Sequence, residues 1–392
     1  MRIALLSTLD RAPKPGRTRP AFVPFAGARV IDRQLDLALS LGCEAVACMA
    51  DGIGREVIEL QHRAERAGAK FMALREPAKL SGLVTATDEI LVIASGVLPD
   101  AQTTERLLTK PAVIAFPADI AVPAGFERID PEFAWSGVLL TRGNLVERLV
   151  EMEPDIDVPS VLMRLAFQSG TRLVPAERKL VDQNDWTIDA TREGLAAREL
   201  RWIEAQREPV SFNAPGIAVA ERAGTRLARD VVGGRGENGP VVASGVFALS
   251  SVAAGALSMP AVGLALVTLA ALFSRMGRVV ERVANKGQVA AKRSPLLKFL
   301  EASLDILFIL LIYLSAPDES DLTRIFVPLV LMGLLRLGER HGSEVWKRTY
   351  ADRILLGFLL APAAFFGFGV QAAAVIALLV LLTRFFGPFR ND

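Results

Sequence analysis

The sequence predicts an α/β, Rossmann-like domain fused to an all-α bundle of six transmembrane helices. Three observations lead there. Strand-length apolar runs alternate with helical stretches over residues 1–190. Apolar runs approaching span length fill most of residues 240–392. Arginine and lysine collect in alternate connections of that second part. Residues 191–239 are the expected linker.

The first domain is built element by element from its hydrophobic pattern. RIALLS predicts a strand, since its apolar run is too short for a signal peptide. VIDRQLDLALSLG (30–42) places Ile31, Leu35 and Leu39 on one helix face and ends on glycine. CEAVACMA (43–50) is a second strand, EVIELQHRAERAG (56–68) a second helix and KFMAL a third strand. DEILVIASGVLPD (88–100), AVIAFP and SGVLLT (136–141) add further strands. Such alternation implies a mostly parallel sheet with ligands at the carboxyl ends of its strands. The loop STLDRAPKPGRTRPAFVPFAG (7–27) follows the first strand with Arg11, Lys14, Arg17 and Arg19. It reads either as a phosphate-meeting loop without closely spaced glycines or as a surface loop rich in Pro and Arg. Cys43 and Cys48 read as buried thiols of a reducing compartment.

In the second domain the apolar runs are 240–259, 260–275, 299–316, 324–338, 354–369 and 370–387. Arg275, Arg278, Arg282, Lys286, Lys292 and Arg293 lie between the second and third, and Arg340, Lys347, Arg348 and Arg353 between the fourth and fifth. The other connections are short or acidic, so both basic loops and both termini are expected on the cytoplasmic side of an inner membrane. Upstream, PGIAVAERAGTRLARDVV (215–232) predicts a helix with Arg222, Arg226 and Arg229 on one face. It suits a membrane surface or a solvated linker. Glu301 and Asp305 share one face inside the third span, with Lys298 a turn earlier. They suggest either a functional site or a Lys298–Glu301 pair near water. Mean hydropathy is +0.35 and the formal charge only +2, which argues against a nucleic-acid partner.

Two family resemblances attach to these residues. The segment RPAFVPFAGARVIDRQLDLALSLGCEAVACMA (19–50) resembles the sugar-phosphate nucleotidyltransferases, whose KP-x-x-P-x-x-G-x-P stretch precedes a helix, a glycine turn and a strand. Arg19-Pro20 stands at Lys-Pro, and Pro24 and Gly27 match. The family's glycine-rich signature is replaced by STLDRAPKPG, and its metal-binding Gly-Asp by Ser95-Gly96. The resemblance implies a nucleotidyltransferase-type sheet, with Arg17 and Arg19 toward the phosphates of CTP.

The membrane part resembles the CDP-alcohol phosphatidyltransferases, whose signature runs D-x2-D-G-x2-A-R and then G-x3-D-x3-D. Leu297, Glu301 and Asp305 keep the second spacing. Gly277 matches the glycine of the first, which puts Phe273 and Met276 where two aspartates belong. The resemblance implies Mg²⁺ or Mn²⁺ on Glu301 and Asp305, joined by Glu281 if it folds inward, with Asp305 as base. It also implies Arg278 and Arg282 toward a CDP-alcohol, and a homodimer. The expected function is transfer of a phospho-alcohol from a CDP-linked donor to an alcohol acceptor in phospholipid or glycolipid headgroup synthesis. The alternative is a catalytically inactive relative that binds anionic membrane lipids or a partner.

Overall fold

The computed structural model describes all residues except 10–17, 154–155, 189–190, 206–211, 232–237, 286–293, 318, 343 and 386–392. The chain divides into two compact units, with Met1–Trp202 in one and Ile203–Ala284 and Lys292–Asp392 in the other.

The strands of the first unit are β1 (Arg2–Ser7), β2 (Pro24–Phe25), β3 (Ala28–Arg29), β4 (Ala45–Met49), β5 (Lys70–Leu74), β6 (Glu89–Ile93), β7 (Ala112–Pro117), β8 (Glu127–Arg128), β9 (Phe133–Arg142) and β10 (Leu173–Pro175). β2 and β3 form a small hairpin, and the main sheet has the order β10-β7-β9-β6-β1-β4-β5 with β8 on β9. β1 lies between parallel β4 and β6, with Leu5 level with Ala47 and Val92. Its apolar run is continuous because both faces are covered: Ile3, Ala4, Leu5 and Leu6 are fully buried. SGVLLT belongs to the longer β9, which runs antiparallel between β6 and β7.

Helices α1 (Val30–Ser40), α2 (Arg55–Arg66), α3 (Ala101–Leu107), α4 (Ala118–Ala121), α5 (Val158–Gln168) and α6 (Lys179–Asp182) complete the layers, and α7 (Arg192–Ala205) follows. Trp135, Phe116 and Trp186 are buried, the last two edge-to-face at 5.4 Å. Strand order reverses between β1 and β6, which makes their carboxyl ends the expected crevice. Cys43 and Cys48 are buried unbridged thiols, each pushed up to about 12 by desolvation.

The second unit is helical: α8 (Pro215–Val231), α9 (Gly239–Ala256), α10 (Pro260–Asn285), α11 (Pro295–Leu314), α12 (Asp321–His341), α13 (Glu344–Tyr350), α14 (Arg353–Phe365) and α15 (Gly369–Phe385). Each of the six apolar runs is a helix. Proline opens α9, α10 and α11, where a missing N–H costs nothing, while Ser320 and Asp352 cap α12 and α14. Leu264, Phe308, Leu311, Leu331 and Leu360 fill the interior. The outer faces are also apolar: Leu249, Phe299, Ile306, Phe326 and Phe358 are each more than 60% exposed. Among the described residues, two helices, α9 and the Pro260–Ala284 part of α10, are long and apolar enough to cross a membrane.

Candidate functional site

Four helices and the start of a fifth converge on a polar cavity of about 160 Å³ within the helical unit. Helical spacing brings Ala271, Ser274, Arg275 and Arg278 to one face of α10, and Glu301, Leu304 and Asp305 to one face of α11. α12 adds Arg336 and Glu339, the α14 start adds Asp352, Arg353 and Ile354, and α8 adds Ile217.

The acids of this cavity are held by guanidinium groups. Arg353 donates from Nε to Asp305 Oδ1 at 2.7 Å and from Nη2 to Oδ2 at 3.3 Å. Arg336 Nε bonds the same Asp305 Oδ2. The Arg353 head also meets Glu339 at 2.6 Å and donates to the Tyr350 carbonyl. Glu301 accepts from Arg278 Nε at 2.7 Å, so its partner is Arg278 and not the Lys298 of its own helix. Asp352 has a different task. It accepts from Gly216 N at 2.8 Å and Ile217 N at 3.2 Å while capping α14 through Leu355 N, which ties the positive end of α8 to that of α14.

Of the residues singled out in the sequence, Glu301, Asp305 and Arg278 meet in this cavity. Glu281 does not line it; its carboxylate accepts from the backbone N–H of Ser294, just ahead of α11. Arg282 forms a two-pronged pair at 3.2 Å with Glu221, which is 2% exposed. Arg222 and Arg226 are exposed on α8, opposite the small residues Gly216, Ala220 and Gly224 that let α8 pack closely. Arg19, in the α/β unit, pairs with Asp51 at 2.6 Å. Arg17 lies outside the described residues.

Magnesium or manganese does not fit the described residues of this cavity. Among the described residues, no group of three or more His, Cys, Asp or Glu side chains is placed to hold a metal ion. A hard dication needs several free oxygen ligands, and the two carboxylates on α11 face arginines. Sequence reasoning missed Arg336, Glu339, Asp352 and Ser274. In the sequence Arg353 and Arg275 read only as loop charge, although an arginine within an apolar run such as Arg336 is itself a signal.

Among the described residues, which leave out 10–17 of the loop after β1, the β1/β6 crevice of the α/β unit shows no such metal-holding group either. Gly96 follows β6 with φ +72°, and a Cβ added there would lie 2.4 Å from Pro20 Cβ. A side chain at position 96 is therefore opposed by backbone conformation and by Pro20. Beside it lies α7, whose buried Arg198 donates to the carbonyls of Leu98 and Pro99 at 2.7 and 3.1 Å. Burial pushes Arg198 down to about 10. Glu199 accepts from Ala26 N at 2.6 Å, and Trp202 packs edge-on against Phe25. A second cavity, of about 380 Å³, lies beyond β4 and β5 and carries Arg75 and Lys79.

No protein-family model matches the sequence, and neither does any curated protein. Among solved structures, the N-terminal half resembles a putative glucose-1-phosphate thymidylyltransferase from Bacillus anthracis in complex with a sucrose, with a TM-score of 0.37 and 11% identity over 51% of this chain and 94% of that one. It also resembles a UDP-glucose pyrophosphorylase complexed with UDP-glucose, with a TM-score of 0.36 and 11% identity over 52% of this chain and 99% of that one.

Proposed function

We propose that this protein is a membrane protein whose helical unit binds an anionic, phosphate-bearing headgroup without transferring it. The observation that carries the reading is the arginine pairing of Glu301 and Asp305 in one cavity. A metal-dependent transferase needs such acids for its cations; here they orient guanidinium groups whose remaining N–H donors suit phosphate oxygens. The exposed Arg222 and Arg226 on α8 add attraction toward an anionic lipid surface. In this reading the helical unit spans an inner membrane with both termini cytoplasmic, and its apolar outer faces meet lipid.

The transferase reading keeps one observation in its favour, since Glu301 and Asp305 do share a cavity. Purified full-length protein incubated with CDP-alcohols and added magnesium or manganese separates the two. The expected result is no transfer, with retained binding to vesicles containing anionic phospholipid. Turnover that disappears in Asp305→Asn would overturn the proposal and reinstate the transferase.

A further inference from the structure

Ser274 is 1% exposed, lines the cavity, and its hydroxyl has no hydrogen-bond partner among the described residues. A buried helical serine ordinarily back-bonds to a carbonyl three or four residues earlier, and Ser251, Ser303 and Ser315 take the third, Ala248 O, Leu300 O and Ile312 O, at 2.7 Å. Thr225 and Thr268 take the fourth, reaching Glu221 O and Leu264 O at 2.6 Å. For Ser274 that carbonyl is Ala270 O, and it is already engaged. It accepts the helix N–H of Ser274 itself, as helix geometry requires, and the hydroxyl of Ser244 at 2.9 Å. A carbonyl oxygen has two lone pairs, so Ala270 O is saturated. The Ser274 hydroxyl takes neither that carbonyl nor the third, Ala271 O, and the residue lines the cavity one turn before Arg278 on the same helix face.

We infer that Ser274 is a ligand-reading residue, donating to an oxygen of a phosphate ester held by the cavity arginines. We infer also that the ligand is a single phosphate with a small polar substituent rather than a nucleoside diphosphate. The second point follows from size. About 160 Å³ falls below the roughly 300–1,000 Å³ that drug-sized ligands occupy. A single phosphate uses a guanidinium fork and one hydroxyl, which is what α10 presents at Arg278 and Ser274. This inference rests on the anion-binding reading above. The ester could be a lipid headgroup or a free metabolite, since both offer the same phosphate oxygens.

The test uses full-length protein in nanodiscs of phosphatidylcholine, titrated with glycerol 3-phosphate and with cytidine diphosphate. Glycerol 3-phosphate is expected to bind at least tenfold more tightly than cytidine diphosphate. Ser274→Ala is expected to weaken it about five- to tenfold, the size of one lost hydrogen bond. Its unfolding midpoint should stay unchanged or rise, because an unsatisfied buried hydroxyl has been removed. Ser244→Ala, outside the cavity lining, frees Ala270 O for Ser274 and is expected to weaken binding several-fold as well. Competition by phosphatidylglycerol placed in the discs supports a lipid source, and its absence supports a free ester. Unchanged affinity in Ser274→Ala overturns the role of Ser274 while leaving anion binding intact. Cytidine diphosphate binding as tightly as glycerol 3-phosphate overturns the ligand class. No binding of either compound by the wild type overturns anion binding itself, and this inference with it.

Discussion

Asp305 shows how one residue decides between chemistries. A carboxylate reserved for a cation is repelled by its acidic neighbours, and neutralising it commonly stabilises the empty site. Asp305 is 7% exposed and bonded by two guanidinium groups, so neutralising it should do the opposite. Its two partners are unequal. The Arg353 side chain is 10% exposed and that of Arg336 47% exposed, so water screens the Arg336 pair far more. Asp305→Ala should therefore cost about 3 kcal/mol, mostly through the stranded Arg353. Arg336→Ala should cost less than about 1 kcal/mol. The double change Asp305→Leu with Arg353→Met should recover most of the loss, because a buried pair replaced by apolar groups is often neutral. Unfolding in mixed micelles measures all three. A gain in stability on Asp305→Asn would show that the carboxylate is held in repulsion and not in pairing.

Elements show what packing adds to pattern. The strands β1, β4, β5, β6 and β7 and all six apolar helices were legible because burial sets their periodicity. The antiparallel run of β9 was not, since SGVLLT has the same alternation whichever way the strand points. Part of the cavity lining was legible too. Glu301 and Asp305 stood out as acids in an apolar helix, whereas their partners come from α10, α12 and α14, and no local pattern links those helices. Gly96 illustrates the limit further. The motif resemblance sets Gly96 where the sugar-phosphate nucleotidyltransferases carry an aspartate, but only the fold shows φ +72° and Pro20 against it. Gly96→Asp should accordingly destabilise the α/β unit by about 2 kcal/mol or more, through strain and a collision with Pro20. It should confer no binding of manganese. Hydrogen exchange of β1 and β6 in the full-length protein reports the first outcome and manganese titration the second. A variant as protected as wild type would mean the crevice has room that the Pro20 contact denies.

At the scale of the whole molecule the question is what solvent surrounds the helical unit. α9 has a mean hydropathy of 1.5 over its span window, yet only a third of that window is buried. Leu249, near its middle, is 75% exposed. Apolar faces of this kind meet water, lipid or a partner, and a water-facing surface rarely carries contiguous apolar patches above a few hundred Å². The same faces are what hydrocarbon requires. The helices' polar groups turn inward instead, with Ser244, Ser251, Ser274 and Asp305 all buried. The two solvents predict different costs for one substitution. If Leu249 faces water, Leu249→Lys touches little and should change stability by no more than about 0.5 kcal/mol. If it faces lipid near the centre of a span, lysine costs about 2.5–3.5 kcal/mol on insertion scales. Wild-type protein should remain in the membrane pellet after alkaline carbonate extraction. Leu249→Lys should lower the inserted fraction roughly tenfold or more, whereas Leu249→Phe should leave it unchanged. Release of the wild type into the carbonate supernatant, with Leu249→Lys equally abundant, would show that these faces meet a protein partner or water. The membrane reading of the anion site would then fall with them.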